Sequence, residues 1–160
     1  LNKKRNSVIF VKKIKMSVAE LLQKRKAELA EKNLVEGKAF LAENAQQPNV
    51  VVLASGLQYK IIKQGTGATP SVTDTVLCHY EGKNLKGEVF DSSIQRGTPA
   101  TFKVNKLIQG YQQALPLMPV GSTWILYVPS ELAYKDEHKS KEISANSTLI
   151  FEVELLDIIK

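Results

Sequence analysis

Residues 87–102, Gly-Glu-Val-Phe-Asp-Ser-Ser-Ile-Gln-Arg-Gly-Thr-Pro-Ala-Thr-Phe, put an acid, Asp91, directly before two serines, Ser92 and Ser93. Three chemistries fit those residue types: a serine nucleophile, a metal-binding carboxylate, or a binding pocket that needs neither. A nucleophilic serine requires a base within hydrogen-bond reach, usually a histidine steadied by a carboxylate. The chain has two histidines, His79 and His138. His138 sits in a charged run, and His79 alternates away from Tyr80 on its strand. The Gly-x-Ser-x-Gly elbow is absent. Asp91 belongs to no metal-ligand motif, and a lone cysteine, Cys78, rules out a multi-cysteine zinc site. Phosphate-cradling glycine motifs are missing too. Ser92 and Ser93 therefore read as turn residues that follow a strand.

The third chemistry has more material. Tyr80, Phe90, Phe102, Tyr111, Tyr134 and Phe151 occupy positions from which they could converge, joined by Leu107, Ile108 and Ile143. Aromatic residues on strands are most often plain core. Three of these six are tyrosines, however, and a buried tyrosine hydroxyl needs a partner, which Asp91 could supply. An apolar cavity rimmed by a few polar groups is the usual form of a small-ligand site.

The elements that would position these residues follow from the pattern. Ser17 and Glu20 form a capping box ahead of a run rich in Ala, Leu, Glu, Lys and Gln, so a helix is expected from Ser17 to about Gln46, stopped by Pro48. Its amphipathicity is weak. Val18, Leu22, Leu29 and Phe40 share one face, which Asn33 and Glu36 interrupt, and Ala27, Ala30, Leu34 and Leu41 make a second partial stripe. Such a helix is either a solvated arm docked at one end or a dimerisation stalk. From Leu57 onward the period changes to short alternating strands at 57–63, 75–83, 88–91, 100–104, 122–129 and 148–159, with one short helix at 107–115 closed by Pro116. The fold class expected is α+β: a long N-terminal helix, then antiparallel strands in a half-open sheet packed on a single short helix.

The bulk numbers agree with a globular domain plus an appendage. The chain has 160 residues, 43% hydrophobic and 24% charged. Six of its basic residues, and none of its acids, fall in residues 1–15; the other 145 residues carry sixteen basic and sixteen acidic side chains. The net charge of +6 is thus a property of the leader. No nucleic-acid surface is expected in the domain, and the alternative of a leader that anchors to anionic membrane or nucleic acid rests on residues 1–15 alone. The leader's apolar stretch, Val-Ile-Phe-Val, falls short of the roughly 7–15 residues of a secretory signal, so a cytoplasmic location is expected, with the periplasm as alternative. No run reaches the roughly 18 apolar residues of a membrane span. The division expected is a basic leader at 1–15, disordered or non-native, a helical arm at 16–47, a linker at 48–56 and a catalytic or binding domain at 57–160.

Taken in order, the segments VLCHYEGK, GEVFDSS, GTPATF, LIQGYQQAL, MPVGSTWILYVPSELAY and STLIFEVELLDI resemble the FKBP-type peptidyl-prolyl cis-trans isomerases. The N-terminal helix, GKAFLAENA and SGLQYKIIKQGTG resemble the bacterial macrophage infectivity potentiator-like branch. The resemblance spans residues 17–160. It implies an antiparallel half β-barrel wrapped on the short helix, and prolyl isomerisation of unfolded or partly folded polypeptides, without metal or cofactor. By the same resemblance Tyr80, Phe90, Asp91, Ile108, Tyr134 and Phe151 are catalytic, and Phe102, Leu107, Tyr111 and Ile143 bind substrate. Binding of the macrolides tacrolimus and rapamycin, and a homodimer through the N-terminal helix, are implied as well. The alternative is a chaperone or binding module of the same fold with little catalysis.

Two departures stand out. Tyr111 occupies the floor position where the family usually has Trp, while the chain's only Trp, Trp124, is expected in the core. After Tyr134 a charged run, residues 135–146, replaces a Gly- and Pro-rich one: Lys135 stands for Gly, and Ser144-Ala145 for Pro or Gly. Altered substrate preference, or lower activity and weaker macrolide binding, is the consequence expected if this wall of the site has changed.

Overall fold

The computed structural model describes residues 16–160; the basic leader expected at 1–15 lies outside the described residues. Helix α1 runs from Val18 to Asn44. Ser17 is its extended N-cap, and its Oγ accepts the Glu20 N–H at 3.1 Å, one half of the expected capping box. Ala45 closes the helix by donating its N–H to Leu41, ahead of Pro48.

The first half of α1 is exposed on all sides, up to residue 29. From Ala30 one face turns inward: Asn33, Leu34, Gly37, Phe40, Leu41 and Asn44, spaced three and four apart. That face mixes residues from both stripes read in the sequence. Asn33, read there as an interruption, is an anchor: its Nδ2 donates to Ser144 Oγ at 2.7 Å and to the Ala145 carbonyl at 2.9 Å. Asn146 returns the contact, donating to the Ala30 carbonyl at 3.2 Å. Gly37 is the one fully buried residue of the helix, and a Cβ there would collide with the Thr148 side chain. Near the end of α1, Gln58 donates to the Leu41 carbonyl and accepts from Asn44, both at 2.8 Å.

Seven strands follow: β1 (Val50–Val52), β2 (Gln58–Lys63), β3 (Thr75–Asn84), β4 (Val89–Ser92), β5 (Ala100–Lys103), β6 (Thr123–Val128) and β7 (Leu149–Ile159). All pairings are antiparallel, in the order β1-β2-β6-β7-β3-β4, with β5 also on β3. The segment expected as a plain linker at 48–56 therefore contains an edge strand, β1, paired to β2. Its three consecutive valines show no alternation, which hid it.

The strands alternate as their sequences predict. On β3, Val76, Cys78 and Tyr80 are buried; on β7, Leu149, Phe151, Val153 and Leu155; on β6, Trp124, Leu126 and Val128. These faces curve around α3, the short helix Gln109–Ala114, which is followed by a 3-10 turn, Leu115–Leu117, carrying Pro116. Leu57, Leu115, Leu126, Leu149 and Leu155 have no exposed surface. Each such side chain stabilises the fold by about 1.5–3 kcal/mol relative to exposure. Trp124 is core, stacked on Tyr59 at 4.3 Å.

A one-turn helix, α2 (Ser93–Arg96), separates β4 from β5 on the same edge of β3. Ser92 caps it, accepting the Gln95 N–H at 3.0 Å, and Gly97 ends it in the left-handed region at φ 74°.

Candidate functional site

Between the concave sheet and α3 lies a cavity of about 220 Å³. Its walls come from six elements. β3 supplies Tyr80, β4 supplies Phe90 and Asp91, β5 supplies Phe102, and β7 supplies Phe151. Leu107 and Ile108 lead into α3, which supplies Tyr111. Tyr134 follows the 3-10 turn Ser130–Leu132.

Phe90 and Asp91 are sequence neighbours, and in a regular strand their side chains would point to opposite faces. Both line the cavity because the β3–β4 register shifts here: Asp91 pairs with Gly82, and Val89 with Lys83. The extra residue is Phe90, and a bulge re-aims the side chain it carries. Gly82 makes room for the result. A Cβ there would meet Phe90 at 2.5 Å and Phe151 at 2.7 Å. Those two rings meet edge to face at 5.6 Å and 87°. Tyr80 and Phe102 form a second edge contact at 5.4 Å, and Tyr111 leans on Phe151 at 4.9 Å.

Asp91 does not face the cavity as a free charge. Tyr80 Oη donates to its Oδ2 at 2.6 Å, and Arg96 Nη1 to its Oδ1 at 2.6 Å. Arg96 Nη2 also reaches Tyr80 Oη at 2.9 Å, closing a three-residue ring. Burial works against the Asp91 charge, but the hydrogen bonds from Tyr80 and Arg96 and the guanidinium's charge outweigh it and hold the carboxyl below its usual value. The Tyr80 hydroxyl is pushed up, by burial first and then by its bond to Asp91.

The serines of the opening stretch are structural. Ser93 is fully buried; its Oγ accepts the Tyr80 N–H at 2.7 Å and lies 3.2 Å from the Tyr80 carbonyl, to which it donates. His79 Nδ1 sits 3.0 Å from that same oxygen. This serine–histidine pair resembles a catalytic one in distance, but the oxygen is enclosed and engaged in holding the Tyr80 backbone.

Two donors at the cavity are unengaged. The Ile108 N–H, at the N-cap of α3, makes no hydrogen bond among the described residues. The Tyr134 hydroxyl is likewise unpartnered and stays accessible. Burial is the first cause that raises its pKa, with Asp91 and Glu137 adding to it, so it is a donor throughout the neutral range. The Tyr111 hydroxyl differs: it is fully buried with no partner, and burial pushes it well above its usual value. The departure from Trp at this position thus leaves an unsatisfied group beneath the floor.

Nine of the ten site residues inferred from sequence line the cavity. Ile143 does not. It is 4% exposed and packed in the core, while its backbone closes a tight turn with Lys139 and Ser140. Cys78, Lys106 and Leu115 line the cavity and escaped the sequence reading. Cys78 was legible, two residues from Tyr80 on the same strand face; its thiol is pushed up to about 12 by burial. Leu115 lies one helical turn beyond Tyr111. Arg96 had no signal, since its reach to Asp91 depends on the α2 turn. Lys135 keeps the left-handed backbone, φ 55°, that the family's Gly would adopt freely.

An aromatic cavity with unengaged donors at its rim has the form of a site that can hold a ligand through apolar contact and hydrogen bonds. A family model described as FKBP-type peptidyl-prolyl cis-trans isomerase matches residues 67–156, and one for the domain amino-terminal to it matches residues 2–61. The chain belongs to the FKBP-type peptidyl-prolyl cis-trans isomerase family. It is 49% identical over 144 residues to the outer membrane protein MIP of Legionella longbeachae, covering 88% of this chain and 62% of that one. It is 52% identical over 124 residues to the FKBP-type 22 kDa peptidyl-prolyl cis-trans isomerase of Escherichia coli, covering 78% and 60%. The chain thus spans about six-tenths of the length of these curated relatives. Its fold matches the crystal structure of FkpA from Escherichia coli with a TM-score of 0.80 at 30% identity, covering 97% of this chain and 81% of that one.

Proposed function

We propose that this chain accelerates cis–trans rotation about Xaa-Pro bonds in unfolded or partly folded polypeptides. The observation that carries the reading is the pairing of an aromatic cavity with two unengaged donors, the Ile108 N–H and Tyr134 Oη, at its edge. The bond to be rotated has a barrier of about 18–20 kcal/mol, set by amide resonance. Resonance separates charge, so water favours the planar form and an apolar cavity favours the twisted one. Only interactions stronger in the twisted state speed rotation. In this reading Phe90, Phe151, Ile108 and Tyr111 enclose the proline ring. The two free donors hold substrate carbonyls, and the Tyr80–Asp91–Arg96 ring keeps an anion from competing for them.

A protease-free isomerisation assay on a Xaa-Pro peptide, with and without rapamycin, tests this. Turnover blocked by the drug is expected. No turnover from a folded sample overturns the enzyme reading and leaves a binding module of the same fold. Asp91→Ala, Phe90→Ala and Tyr134→Phe are expected to lower turnover without unfolding the domain; unchanged turnover in all three would displace the site. The same proposal makes the exposed start of α1, with Val18, Leu22 and Leu29 open to water, the surface for a second copy. Sedimentation of Leu22→Glu as a smaller species than the parent is the expected result.

A further inference from the structure

We infer that Lys106 makes this cavity selective for prolines flanked by an acidic residue. The inference rests on the isomerase reading and names its substrate class. Among the residues that line the cavity, two are charged, Asp91 and Lys106. Asp91 is already matched by Arg96 and Tyr80. Lys106 has no such match: the ion pairs among the described residues are Lys32–Glu36 and Arg96–Asp91.

Its position is specific. Lys106 ends the 3-10 turn Val104–Lys106, two residues before the unengaged Ile108 N–H. A peptide carbonyl held at Ile108 would bring a neighbouring side chain within reach of a lysine. The lysine's stem can follow the apolar wall while its ammonium stays in water. A second cation, outside the residues that line the cavity, lies beside Tyr134, with Lys139 Nζ 5.5 Å from the centre of its ring. Asp91 and Glu137 are the acids that bear on that same tyrosine, Asp91 ahead of Glu137. The Lys106 side of the cavity carries an unmatched positive charge, which an acidic substrate residue meets and a basic one opposes.

An exposed pair of this kind changes an equilibrium by about two- to fivefold, and salt screens it. The test uses three otherwise identical proline peptides with Glu, Gln or Lys on either side of the proline. Both kcat/KM and binding are measured, by assay and by titration, at low and at high salt. The order Glu over Gln over Lys is expected at low salt, compressed at high salt. Lys106→Glu should reverse it, and Lys106→Met should flatten it. A flat order in the parent, or an unchanged order in Lys106→Glu, overturns the inference. An order that survives Lys106→Met overturns it too, by assigning the preference to another cation. Should no peptide turn over while the binding order holds, the isomerase reading falls and the role of Lys106 stands. Should the peptides turn over with a flat order, the isomerase reading stands and the role of Lys106 falls.

Discussion

On one side of residues 134–148, Tyr134 faces a cavity walled by Tyr80, Phe90, Phe102, Tyr111 and Phe151. On the other, Ser144, Ala145, Asn146 and Thr148 meet helix α1 through the amide groups of Asn33 and Asn146 and the bare backbone of Gly37. The cavity holds large apolar rings, leaves the Ile108 N–H and Tyr134 Oη unengaged at its edge, and leaves the Tyr111 hydroxyl unsatisfied beneath it. The seam sets small side chains and a bare glycine against the helix, and its two asparagine amides are hydrogen-bonded across it. An unmatched donor at an open cavity is available to a ligand. The same group left inside a closed seam would cost about 1–3 kcal/mol with no compensating contact. The contrast separates a surface built to bind something transient from one built to stay shut.

The largest test of that contrast is Phe151→Ala. The side chain is 4% exposed and touches Phe90 and Tyr111, so its loss should cost about 3–5 kcal/mol in denaturant unfolding and remove one aromatic wall of the cavity. A smaller effect is expected from Gly37→Val at the seam. A side chain there collides with Thr148, and overpacking of this kind costs about 1–3 kcal/mol. Hydrogen exchange should speed up in residues 30–44 of α1 while the sheet keeps its protection. Equal loss in the sheet would mean that arm and domain fold as one unit, and would break the comparison.

Smaller again is Asn33→Ala, which removes two hydrogen bonds and is expected to cost about 1 kcal/mol, read as faster exchange confined to residues 142–146 and the facing turn of α1. A fall in turnover matching that of Tyr134→Phe would show that the seam and the cavity are coupled through the segment they share. The smallest effect concerns pH. The Asp91 carboxyl lies below its usual value in the folded chain, so its contribution is fully present above about pH 4 and lost as the pH falls through the folded value. Asp91 is 45% exposed, which keeps the effect small. Asp91→Asn should remove this part of the acid sensitivity in an unfolding series, whereas Asn33→Ala should leave it in place.

Much of this arrangement was legible beforehand, and for identifiable reasons. Alternation on β3, β6 and β7 is a period-2 signal, and burial of one sheet face makes it reliable. The cap at Ser17 and the stop before Pro48 are local chemistry, so α1 was found within two residues at each end. β1 was missed because three consecutive valines do not alternate. Ile143 came from the resemblance alone; in this chain it is buried beside a tight backbone turn with Lys139 and Ser140 and is not among the residues lining the cavity. Asn33 was misread because a polar residue on an apolar stripe looks like a gap until its partners, 111 and 112 residues away, are in place.

The amino-acid order by itself determined the strands and helices, the inward faces of the sheet and most of the aromatic residues that line the cavity. Each depends on backbone geometry and on side chains a few positions apart. Tertiary structure alone decided three things. The bulge opposite Gly82 turned Phe90 and Asp91 to the same cavity against strand alternation. The α2 turn carried Arg96 back to Asp91 and Tyr80. The crossing of α1 over residues 144–148 made an anchor of Asn33. The first rests on a shift in register, the second on a turn that reverses the chain within five residues, and the third on contacts 111 and 112 residues apart, and none of these leaves a period in the sequence to read.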